Sequence, residues 1–114
     1  MTKIVHISVN DYMGQPQYTI YYQDGEGEPT TVLLAPGLWN RSVIVDALIR
    51  SKYAQDEVEA IINNHFLNIA EWLDKKFAGS TDKFIDEAYD DMQSWRKVCK
   101  AMADEALAQY PPIQ

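Results

Sequence analysis

The sequence predicts an α+β domain: a three-stranded antiparallel β-meander over residues 3–35, followed by three helices over residues 41–52, 55–77 and 82–109. Three observations carry this reading. Apolar and polar residues alternate through the first third of the chain, the period of a half-buried strand. From Gln55 onward apolar residues recur every three or four positions, the period of an amphipathic helix. Short turn-forming clusters separate the segments, and strands joined by short connections make a meander whose one apolar face needs helices to cover it.

In the first strand, Lys3 to Val9, the residues Val5, Ile7 and Val9 alternate with His6 and Ser8. Asn10, Asp11, Gly14 and Pro16 supply turn chemistry. The second strand then sets Tyr18, Ile20 and Tyr22 on one face against Thr19 and Tyr21 on the other. After the polar loop Gln23 to Pro29, the run Thr30 to Ala35 places Val32 and Leu34 opposite Leu33, and Pro36 and Gly37 stop it.

Asn40 or Ser42 suits the N-cap of the first helix. Its residues Val43, Ile44, Val45, Ala47, Leu48 and Ile49 demand burial, although the β-branched triplet Val43 to Val45 equally fits a fourth strand. The long segment Gln55 to Phe77 is the element around which the domain is expected to be organised. At about 100° per residue, Val58, Ile61, Ile62, His65, Phe66, Ile69, Trp72 and Leu73 fall within one broad arc. Asp56 and Glu57 stand in its first turn, where the helix dipole favours acids, and Gly79 suits its end. Ser80, Thr81 and Asp82 are each able to cap the last helix, whose stripe runs through Phe84, Ile85, Ala88, Tyr89, Met92, Trp95, Cys99, Met102 and Ala106. The two long helices should pair antiparallel with Trp72 and Trp95 in the core.

With 114 residues, 46% hydrophobic and 24% charged, the chain is one domain's worth of ordinary globular composition, able to fold without a metal or disulfide. No run reaches the ~20 apolar residues of a bilayer span, so no membrane is expected. The opening MTKIVHISV lacks the apolar core of a signal peptide, and Cys99 is the single cysteine. Both point to the cytoplasm. A net charge of −7 opposes direct binding to nucleic acid and fits docking on a basic protein.

No motif specifies an enzyme, a metal or a cofactor. Asp24, Glu26 and Glu28 alternate as in a calcium loop but lack that motif's glycine and distant glutamate, and a solvated hairpin loop explains them. His6, His65 and Cys99 show no ligand spacing. Carboxylates one helical turn apart, such as Asp86 with Asp90, lie toward the solvated side. His65 is the most informative titratable residue, since it falls inside an apolar arc and needs a hydrogen-bond partner there.

The leading expectation is therefore a small, acidic, non-enzymatic interaction protein whose partner is another, basic protein. One specific form is an accessory or inhibitory protein of a phage or mobile element that occupies the basic channel of a nucleic-acid-handling factor. The candidate partner-binding residues are Asp82, Asp86, Glu87, Asp90 and Asp91 on the last helix, Tyr18, Tyr21 and Tyr22 on the sheet, and Leu38 with Trp39 after the third strand. Like charges within one helical turn repel, which a basic partner relieves, and tyrosine suits interfaces. The alternatives are a self-associating subunit and a small-ligand binder or enzyme using His65 or a carboxylate pair.

Overall fold

A computed structural model describes residues 1–112. The element order is β1 (Thr2–Tyr12), β2 (Gln15–Asp24), β3 (Thr30–Leu33), α1 (Arg41–Arg50), α2 (Gln55–Phe77) and α3 (Glu87–Gln109). The strands form one antiparallel sheet in the order β1-β2-β3, and the chain is the expected α+β fold with its two long helices in contact.

β1 continues past Val9 to Tyr12 because Met13 and Gly14, at φ 52° and 85°, close a two-residue turn directly onto β2. Paired positive φ values match the twist of antiparallel strands, and glycine meets that demand freely. The inward face of β1 also differs from simple alternation. Its register with β2 shifts between Ile4 and His6, a bulge at Val5, so Ile4 and Ile7 both face the core while Val5 and Val9 are exposed. β2 and β3 keep the expected faces, with Ile20, Tyr22 and Val32 buried and Leu33 exposed, and Leu34 is buried just past β3, which ends at Leu33 and not at Ala35.

Residues 41–50 are helical, and Asn40 caps them by accepting the Val43 N–H at 3.0 Å. Ile44 and Leu48 are fully buried, so burial of one stripe overrides the strand preference of Val43 to Val45. At the end of α1, Ser51 Oγ donates to Leu48 O at 2.6 Å and meets the Tyr22 hydroxyl at 2.7 Å, tying the helix end to the sheet.

The core lies between the inner sheet face, α1 and the C-terminal two-thirds of α3, where Trp95, Cys99, Met102, Ala103 and Ala106 are buried. Trp39 closes one end. It stacks on Tyr18 with ring centroids 4.1 Å apart, and its Nε1 donates to Tyr110 O at 2.7 Å.

α2 stands apart from this core. Its direction is opposite to α3, since Lys52, just before α2, lies over the Trp95 ring whereas His65, midway along α2, stacks on Tyr89. Only the first half of α2 therefore runs beside α3. Beyond His65 it is flanked by residues 80–86, a strap without regular secondary structure, held where Trp72 Nε1 donates to Asp82 O at 2.9 Å. Among the described residues none of α2 is buried, and Trp72 is half-exposed, not a core residue. The molecule is correspondingly elongated, 63 × 29 × 21 Å, with a radius of gyration of 18.2 Å. A compact chain of this length has about 13 Å.

Candidate functional site

The first part of the site is the joint between α2 and α3. The last helix begins at Glu87, not near residue 82, because its cap is Asp86: Asp86 Oδ1 accepts the Tyr89 N–H at 3.3 Å. Ser80, Thr81 and Asp82 are equally able to cap by residue type, but residues 80–86 form no helix. What favours Asp86 is a second set of bonds. Its Oδ2 accepts from His65 Nδ1 at 2.9 Å and from Asn68 Nδ2 at 3.1 Å. The bond from His65, then the bond from Asn68, hold the Asp86 carboxyl below its ordinary value of 3.8, helped by the Tyr89 N–H and opposed by desolvation. The imidazole is stacked on Tyr89 at 3.5 Å and lies beside Phe66 and Phe84. His65 is thus satisfied by a specific partner, as its apolar setting requires.

The second part is the arm, α2 from Phe66 to its end. The helix stops in a Schellman motif, in which Gly79 at φ 101° donates to Lys76 O at 3.0 Å and Ser80 N–H to Lys75 O at 3.0 Å. At about 100° per residue the half-buried Val58, Ile61, Ile62, His65, Ile69 and Trp72 occupy one arc, the one facing α3 and the strap. Adjacent to it, Phe66, Ala70, Leu73 and Phe77 form a second stripe that nothing among the described residues covers. Phe66 is 65%, Leu73 39% and Phe77 87% exposed. Leu67 flanks them, also exposed. Residues on the same line nearer the start of α2 are Glu59 and Asn63, so the face turns apolar only where α3 no longer runs alongside.

The third part is the carboxylate surface around the start of α3. Asp82, Glu87, Asp90 and Asp91 are exposed, and none forms an ion pair among the described residues. Asp86 does not belong with them, since it is turned inward on His65 and its side chain is 8% exposed.

The aromatic candidates are divided by the fold. Tyr22 and Trp39 are core residues and Tyr18 is packed between Trp39 and Tyr110, so none of the three offers a free face. Tyr21 remains on the outer sheet face beside His6, with centroids 5.5 Å apart, and Leu38 is exposed next to its buried neighbour. The stripe Phe66, Leu73 and Phe77 was not among the sequence-derived binding residues. The signal for it was the width of the apolar arc on α2, too broad for one partner helix to cover.

The loop of Asp24, Glu26 and Glu28 is an exposed turn, and no cluster of His, Cys, Asp and Glu able to hold a metal occurs among the described residues. Nor, among them, is any helix long and apolar enough to cross a membrane. Compared with protein-family models, curated proteins and solved structures, the chain matches none.

Proposed function

We propose that this chain is a non-enzymatic protein-interaction module whose working surface is the projecting half of α2. The observation that carries the reading is the exposed row of Phe66, Leu73 and Phe77 on a 23-residue helix with no buried residue among those described. Scattered apolar residues are normal on a surface; a contiguous apolar stripe on one face marks a contact surface. An isolated helix is marginal in water, so a long arm with one side open gains most from a partner. In this reading the His65–Asp86 bond serves as the joint that sets the angle of the arm.

The test compares capture by the intact chain and by Phe66→Ser/Phe77→Ser from source cells after nuclease treatment. A stoichiometric protein held by the former and lost by the latter is the expected result; identical retention by both removes the arm from the reading.

A second reading rests on Asp82, Glu87, Asp90 and Asp91, four exposed carboxylates without ion pairs among the described residues on a chain of net charge −7. Here the partner is a basic protein, in its most specific form the nucleic-acid channel of a host factor inhibited by a phage or mobile-element protein. Neutralising the four residues should then weaken binding and flatten its dependence on salt. Unchanged affinity and salt slope would count against it.

A further inference from the structure

From the arm itself we infer that its occupant is a second copy of this chain, docked antiparallel so that the two arms overlap along Phe66, Ala70, Leu73 and Phe77. The inference rests on the arm being an interaction surface and adds what binds there.

Self-complementarity is the first argument. The stripe has spacings of four, three and four residues, which read the same in both directions. A two-fold axis between Glu71 and Trp72 sets Phe66 opposite the partner copy's Phe77 and Ala70 opposite its Leu73. These are the pairings of alternating core positions in an antiparallel coiled coil, with the small alanine facing the larger leucine. A parallel arrangement instead faces Ala70 with Ala70 and leaves a gap in the middle of a short seam.

Size is the second. The stripe and Leu67 expose on the order of 500–600 Å² per copy, so mutual burial removes at most roughly 1,100 Å², the lower end of specific interfaces. The stripe spans about 16 Å of helix, which fits a contact confined to the arm.

Charge and access are the third. Each copy carries −7, yet the residues flanking the seam are Leu67 and Asp74 on one side and Ile69 and Lys76 on the other. In the antiparallel register Leu67 neighbours Asp74 and Ile69 neighbours Lys76 across the axis, so like charges are not opposed, and the helix dipoles run oppositely. The overlap also avoids α3, which flanks only the first half of each α2, and leaves the two bodies at opposite ends.

The experiment is sedimentation equilibrium of the full chain across micromolar concentrations, beside Leu73→Glu/Phe77→Glu. The expected result is reversible assembly to twice the 13.1 kDa chain mass, weakened at least ~100-fold in the variant through loss of two buried apolar side chains, with the circular dichroism of the fold unchanged. Orientation is read by mixing Ala70→Cys and Leu73→Cys chains under oxidation, where the mixed disulfide should exceed both homodimers; buried Cys99 stays out of the reaction. A chain monomeric throughout, a variant that still dimerises, or preferred homodimer cross-links each overturns the inference. If the chain is monomeric while Phe66→Ser/Phe77→Ser still loses a different captured protein, the interaction reading stands and only the second copy is excluded.

Discussion

His65 Nδ1 lies 2.9 Å from Asp86 Oδ2, joining the middle of one long helix to the N-cap of the other across 21 residues. Because that carboxyl is held below its ordinary value in the fold, its contribution is fully present above the unfolded value of 3.8 and is lost as pH falls through the lower folded value. Acid should therefore loosen the arm before the core. In NMR spectra the Trp72 indole, bonded to Asp82 O, should change at higher pH than the Trp39 indole, bonded to Tyr110 O. Asp86→Asn, which keeps a capping side chain without the charge, should show the loosened Trp72 signal already at neutral pH. Simultaneous loss of both indole signals in the intact chain would show that the joint and the core melt as one.

Stability should be set by the α1–sheet–α3 core and not by the arm. Leu48 is fully buried, and Leu48→Ala is expected to cost about 2–5 kcal/mol through lost burial and a residual cavity. Phe77→Ser, at a site 87% exposed, is expected to change stability by no more than about 0.5 kcal/mol. Urea denaturation at concentrations where the chain is monomeric separates the two, since association would otherwise add to apparent stability.

Trp39→Phe keeps most of the stack on Tyr18 but removes the donor to Tyr110 O. A loss of about 1–3 kcal/mol is expected, since the carbonyl is left without this partner and the smaller ring fills less space. The same variant should raise hydrogen exchange at Tyr110, the residue that the indole ties to the sheet end. Unaltered exchange there would mean that Trp39 does not hold the chain end.

Burial pushes the Cys99 thiol up to about 12, against the opposing influence of nearby Lys52. The thiolate is the reactive form, so alkylation at mildly alkaline pH should be negligible in the folded chain and rapid in denaturant. Labelling at equal rates in both states would contradict the packing of α3 against the sheet.

Much of this architecture was legible in the residues alone. Alternation placed three strands, the three-to-four spacing placed two long helices, and the stripe Met92, Trp95, Cys99, Met102 and Ala106 was the buried face of α3. These are local properties, because a strand or helix facing a core repeats its apolar residues at its own period. The site was less legible. His65 stands out as an imidazole in an apolar arc, but Ser80, Thr81 and Asp82 are the cap candidates by residue type and Asp86 reads as one of a row of surface carboxylates, so nothing points to Asp86 as its partner.

Tertiary structure decided which apolar surface was covered. Periodicity shows that a face of α2 is apolar without showing what lies over it. α3 covers one face of the first half of α2 and the segment before α3 covers the same face of the second, so Ile61 and Ile69 are half-buried whereas Phe66 and Phe77, on the adjacent face, are open. The same holds at smaller scale. A bulge at Val5 turned Ile4 inward, since register belongs to a strand pair and not to one strand. Trp39 became core because Tyr110, distant in sequence, supplied the acceptor that its buried N–H requires. Asp86 became the cap because only it also meets His65 and Asn68. In each case the chain alone determined the period and chemistry of a segment, while the choice among equivalent partners waited on contacts that only the folded arrangement creates.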